Sequence, residues 1–107
     1  MIIIPKKVFS TNQFSIIGPT WHLYGTDYAL QMKLINLPVL VFPSELWHVS
    51  DGKSLNLNYF DAIQWLLKKY SKNYSVIYTF FGVWPSNPIL LKFKCLYRKL
   101  RFYIKGV

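Results

Sequence analysis

The chain has 107 residues, a formal net charge of +9 and 52% hydrophobic residues. That length holds one domain, or one domain and part of a second, and the apolar content excludes a disordered basic arm. The single cysteine, Cys95, excludes an internal disulfide and any thiolate-built metal cluster.

Met1 leads into IIIPKK (2–7), an apolar run too short for a secretory signal and closed by a proline. The first ten residues contain no arginine, so an amphipathic import peptide is not expected either. The longest apolar stretches are LINLPVLVF (34–42) and VIYTFFGVW (76–84). Each is about half the length that a membrane-spanning helix needs, so the protein is expected not to span a membrane. Lysine outnumbers arginine, and Ile, Phe, Tyr and Asn are abundant. These residues have AT-rich codons, a bias that points to an organelle-encoded, mitochondrial protein.

In chain order, residues 2–43 read as β-structure broken by turns. IIIPKKVF (2–9) opens with a short apolar strand and a proline. QFSIIGP (13–19) is a strand closed by a Gly-Pro turn. WHLYG (21–25) follows with partial alternation. ALQMKL (29–34) places Leu30, Met32 and Leu34 on one face and Gln31 and Lys33 on the other. Asn36 marks a turn, and LPVLVFP (37–43) reads as an apolar strand bounded by prolines. Residues 44–57 look irregular, with Asp51-Gly52 as a turn signal.

Asn58 then reads as a helix N-cap, with Asp61 in the favourable first turn. A helix over 59–72 gathers Phe60, Ile63, Leu66, Leu67 and Tyr70 on one side by i, i+3, i+4, i+7 spacing. Lys68, Lys69 and Lys72 collect at its C-terminal end, where the helix dipole favours cations. The rest reads as a strand (76–84), a PSNP loop (85–88) and a basic hairpin in LKFKCLYRKLRFYIKGV (91–107). In that hairpin Leu91, Phe93, Cys95, Leu100, Phe102 and Ile104 share an apolar face. Lys92, Lys94, Lys99, Arg101 and Lys105 share a cationic one, and Tyr97 falls in the turn. Cys95 is accordingly expected to be a packed core thiol. The expected class is α+β, a mostly antiparallel sheet with one packed helix followed by a partial second β-rich domain. The domains expected are 1–73 and 74–107.

From Ala62 to the end there is no acidic residue, against nine lysines and arginines. A surface of one sign needs a negative partner, and nucleic acid is the commonest. Aromatics interleaved with those cations can stack bases, and Tyr97 and Tyr103 are the best placed. Catalysis is not expected. The four carboxylates, Asp27, Glu45, Asp51 and Asp61, show no pairing in one cleft. His22 and His48 each follow a tryptophan and lack a partner at metal-ligand spacing, which favours packing or stacking. No phosphate-cradling Gly-rich loop and no nucleophile elbow is present. No metal, cofactor or small-molecule substrate is expected.

Several short motifs, in order, resemble the large-subunit ribosomal protein L-six family. IIIPKKV (2–8) is similar to that family's opening. FSIIGPTWHL (14–23) is similar to its Gly-Pro turn, with Gly18, Pro19 and Leu23 in place and Trp21 where a second glycine is usual. LQMKLINLPVLVFP (30–43) falls where the family has a hairpin, and the helix 59–72 where it has a domain-closing helix. VIYTFFGVW resembles the strand opening the second domain, with the single glycine Gly82, and ILLKFKCLYRKLRFYIKGV (89–107) its next hairpin. Residues 44–57 look like an insertion, and the chain stops where the family continues into a Gly- and Lys-rich segment. The resemblance implies a structural constituent of the large ribosomal subunit, in contact with ribosomal RNA and neighbouring ribosomal proteins. The RNA-binding residues expected are Lys68, Lys69, Lys72, Lys92, Lys94, Tyr97, Arg98, Lys99, Arg101, Tyr103 and Lys105. The alternatives are a small-subunit S-eight-like protein and an accessory subunit of an organelle membrane complex.

Overall fold

The computed structural model describes residues 1–15, 22–45, 47 and 56–105. Among these residues four helices and one hairpin follow in order: α1 (Lys6–Thr11), α2 (Tyr24–Leu34), α3 (Asn58–Tyr70), β1 (Val76–Thr79), β2 (Gly82–Pro85) and α4 (Pro88–Lys105). The class is α+β, but among the described residues helices dominate and the sheet is a single antiparallel pair.

α3 is the hub. It is strongly amphipathic, as its spacing predicts, and Tyr59, Phe60, Ala62, Ile63, Leu66, Leu67 and Tyr70 are all buried. Asn58 is its first residue rather than its cap. The cap role falls to Asn56, whose Oδ1 accepts from the Asn58 N–H at 3.0 Å. Against α3 pack Ile77 and Trp84, which face each other across the hairpin, and Leu91 and Cys95 of α4. Ile63, Leu66 and Trp84 have no solvent exposure. Truncating any of them to alanine should cost about 2–5 kcal/mol, because the cavity left behind cannot collapse.

The segment 76–84, expected as one strand, is a hairpin turning at Phe80-Phe81. Gly82 allows it, with φ +129°, a region closed to side-chain-bearing residues. Thr79 then locks the hairpin. Its Oγ1 lies 2.8 Å from the Tyr59 hydroxyl, receives Trp84 Nε1–H at 3.2 Å and reaches the Gly82 carbonyl at 3.0 Å. One hydroxyl proton suffices if Thr79 donates to Gly82 and Tyr59 donates to Thr79.

The basic tail is corrected most. It forms one helix, α4, and not a strand pair. Asn87 Oδ1 accepts from the Ile89 and Leu90 N–H groups at 3.0 and 3.2 Å, and Pro88 follows at the first helical position. Together they make a strong helix start within the stretch expected to be a loop. Leu, Lys and Arg then favour the helix. The apolar alternation arises because two helical stripes lie on opposite sides of α4. Leu91 and Cys95 are buried and Phe102 is half-buried, whereas Phe93, Leu100 and Ile104 face solvent.

The N-terminal strands are corrected too. Residues 2–5 are irregular and lead into α1, which buries no side chain. The alternating segment 29–34 belongs to α2, where Tyr28 and Met32, one turn apart, are buried and Leu34 is exposed. α2 ends in a Schellman motif. Asn36 has φ +59°, its N–H reaches the Lys33 carbonyl at 3.1 Å, and the Leu37 N–H reaches that of Met32 at 3.0 Å. The turn expected at Asn36 is therefore present. Residues 37–43 form no strand; prolines at 38 and 43 remove ladder donors, and Leu40, Val41 and Phe42 are exposed. Of the strand expected over 13–19, only 13–15 lie within the described residues, and these are irregular. His48, Asp51 and most of the stretch 44–57 lie outside the described residues.

Candidate polyanion-docking surface

The expected RNA-binding residues fall into separate groups. Lys68, Lys69 and Lys72 lie at or just beyond the C-terminal end of α3. Lys99 instead meets Asp61, in the first turn of α3, at 3.4 Å. Thirteen residues of helix, about 20 Å, separate the two ends.

Three of the cations are used by the fold. Lys69 Nζ sits 2.7 Å from Asp27 Oδ1 and 4.9 Å from the centre of the Trp65 ring. Asp27 is buried, and it also accepts from the Tyr70 hydroxyl at 2.7 Å. This cluster ties α2 to α3. Burial first, and then the Asp27 carboxylate, push the Tyr70 phenol well above its ordinary range. On α4, Arg98 donates to the Phe81 carbonyl, and Lys94 donates to the Val83 carbonyl with its ammonium 5.3 Å from the centre of the Trp84 ring. Both fasten the hairpin to the helix.

Of the expected cations not held by the fold, Lys68 and Lys72 on the α3 side and Lys92, Arg101 and Lys105 on α4 face water, and Lys99 is half-exposed; Lys6, Lys7 and Lys33 are exposed as well. Tyr97 and Tyr103 are exposed at 63% and 70%, open to a stacking partner. Trp84, which lies among basic residues in sequence, is in the core. Cys95 is the packed thiol expected, and burial pushes its pKa up, which lowers its reactivity. His22 is buried, with Nε2 3.2 Å from Asn56 Oδ1 and its ring edge-on to Tyr59, so it packs rather than stacks on a ligand. Among the described residues no three His, Cys, Asp or Glu side chains gather where a metal ion could be held. No helix among them is long and apolar enough to cross a membrane.

Reading the tail as strands hides the outward apolar residues of α4: Ile89, Leu90, Phe93, Leu96, Leu100 and Ile104. Their spacing, 89–93–96–100–104, is a helical signal on which the alternation is superimposed. No family model, curated protein or solved structure matches the chain.

Proposed function

We propose that this chain is a structural, non-enzymatic RNA-binding protein, a constituent of the large subunit of a mitochondrial ribosome. One observation carries the RNA-binding part. Lys68, Lys72, Lys92, Lys99, Arg101 and Lys105 remain exposed or half-exposed after the fold has used Lys69, Lys94 and Arg98. Among the described residues only Asp61 is paired with any of the six, and that pair is long and exposed. Phosphates supply the missing negative charge, and Tyr97 and Tyr103 offer rings to unstacked bases. The large-subunit assignment rests on the order of the sequence motifs alone, since the hairpins that the L-six resemblance implies over 30–43 and 89–107 are not formed, and the organelle rests on residue bias.

Binding of this kind is dominated by counterion release. If all six cations engage phosphates, log K for ribosomal RNA should fall against log salt with a slope of roughly −4. A flat salt response sinks the RNA reading. Sedimentation of the endogenous protein with large subunits in sucrose gradients is expected, and exclusive comigration with small subunits or a detergent-released complex overturns the assignment.

A further inference from the structure

α4 presents its least charged side to solvent. Leu91 and Cys95 point to the core, and the half-buried Phe102 lies on the same side of the helix. Opposite them stand Tyr103, Leu96, Ile89, Leu100, Phe93, Ile104, Tyr97 and Leu90, exposed by 53–79%. At the ~100° per residue of an α-helix they fill an uninterrupted arc of about 140°. No charged residue falls inside it. Lys92 and Lys99 border it on one side, and Arg101, Lys94 and Lys105 on the other. Tyr97 and Tyr103 stand near the two edges. At its N-terminal end the arc forms a concavity lined by Pro88, Ile89, Lys92, Phe93 and Leu96.

RNA phosphates match the borders but leave the arc bare, since nucleic acid offers little aliphatic surface to bury. A second copy of this chain matches the arc but not the borders, because it would set cation against cation in a protein of net charge +9. A surface that is apolar within and anionic at its edge matches both. We infer that the outward face of α4 docks in the plane of an anionic phospholipid bilayer. The apolar arc enters the acyl boundary, the tyrosine hydroxyls sit at headgroup level, and the flanking cations reach lipid phosphates. The long stems of Lys92, Lys99, Arg101 and Lys105 let their charges stay in the headgroup layer while the arc is buried. Lipid docking stands independently of RNA binding, since it rests on the apolar arc and not on the number of cations.

The test uses the full chain and vesicles of phosphatidylcholine, with or without phosphatidylglycerol. A Phe93→Trp variant reports entry against the four native tryptophans: its added emission, taken as the difference from the parent, should shift to the blue with anionic vesicles and be quenched by brominated acyl chains. Partition of the unlabelled protein should drop at least about tenfold in a Phe93→Ser, Leu100→Ser double variant, given the apolar area withdrawn from the bilayer. Those side chains are exposed, so thermal unfolding should be unchanged, and RNA affinity should hold. Lys68→Ser, on α3, should leave vesicle partition unchanged. Absence of partition to anionic vesicles overturns the inference. So does partition indifferent to the double variant, which marks plain charge attraction, or loss of RNA binding in that variant, which gives the face to a ribonucleoprotein. Failure of RNA binding with vesicle entry intact removes the RNA reading alone.

Discussion

Asp27 and Lys69 form an ion pair of unequal burial: the carboxylate side chain is 1% exposed, the lysine 32%. That inequality sets an order of costs. If Asp27 becomes Asn, Tyr70 keeps an acceptor and the lysine can swing into water, so Asp27→Asn should cost about 1–2 kcal/mol. If Lys69 becomes Met, a buried carboxylate loses its counter-charge, and the cost should reach about 2–4 kcal/mol. Urea unfolding of both variants decides it, and the reverse order contradicts this account of the cluster. Tyr70 adds a pH dependence. Its folded pKa is raised above the ordinary 10.0, by burial and then by Asp27. The folded state therefore holds a proton that the unfolded state releases. The contribution is complete below about pH 10 and is lost as pH climbs toward the folded value. Tyr70→Phe should be less stable at neutral pH, yet lose less stability than the parent between pH 9.5 and 11. Parallel alkaline unfolding curves for the two would rule this out.

At the scale of elements, α4 is the decisive case. A strand pair would turn near Tyr97, where proline is tolerated; a continuous helix would not accept it there. Tyr97 is exposed and is not part of the core cluster, so Tyr97→Pro tests chiefly the backbone. It should cost about 3 kcal/mol or more through the lost helical hydrogen bond and the ring clash. Circular dichroism should show reduced helicity together with the lower melting point. An unchanged spectrum and melting point would restore the hairpin. α4 is also held by contacts that no helical periodicity reveals. Arg98 and Lys94 donate to carbonyls of the preceding hairpin, so cations that look available to a ligand are structural.

At the scale of the whole molecule, much of the surface that the described residues expose is apolar: the α4 arc, the irregular stretch around Val41 and Phe42, and Phe80 at the hairpin tip. Such surface is usually covered by a partner. Net charge of +9 opposes pairing of free copies while salt is low. Above about 0.1 M salt the repulsion is screened within ~10 Å. Sedimentation velocity should therefore show self-association rising with salt, the opposite trend to RNA binding. A monomer at every salt concentration would mean that the apolar surface is less adhesive than its area suggests.

The stripe of α3 was legible because Phe60, Ile63, Leu66, Leu67 and Tyr70 face one core in a single period, and all five are buried. The turn at Asn36 follows from an equally local signal. The α+β class and the packed thiol of Cys95 hold although the strands from which they were expected are not formed. The tail was not legible as a helix, because its apolar residues serve two environments. Leu91 and Cys95 meet α3, whereas Phe93 and Leu100 face outward, and the two sets interleave into a pattern of period two. The candidate site was half-legible for the same reason. Composition alone determined an acid-free cationic half, from which a negative partner is expected. Which cations the fold consumes, and that an apolar arc lies between the rest, only the tertiary structure decided. Both depend on the side of α4 that packs on α3, a nonlocal contact that local spacing does not encode.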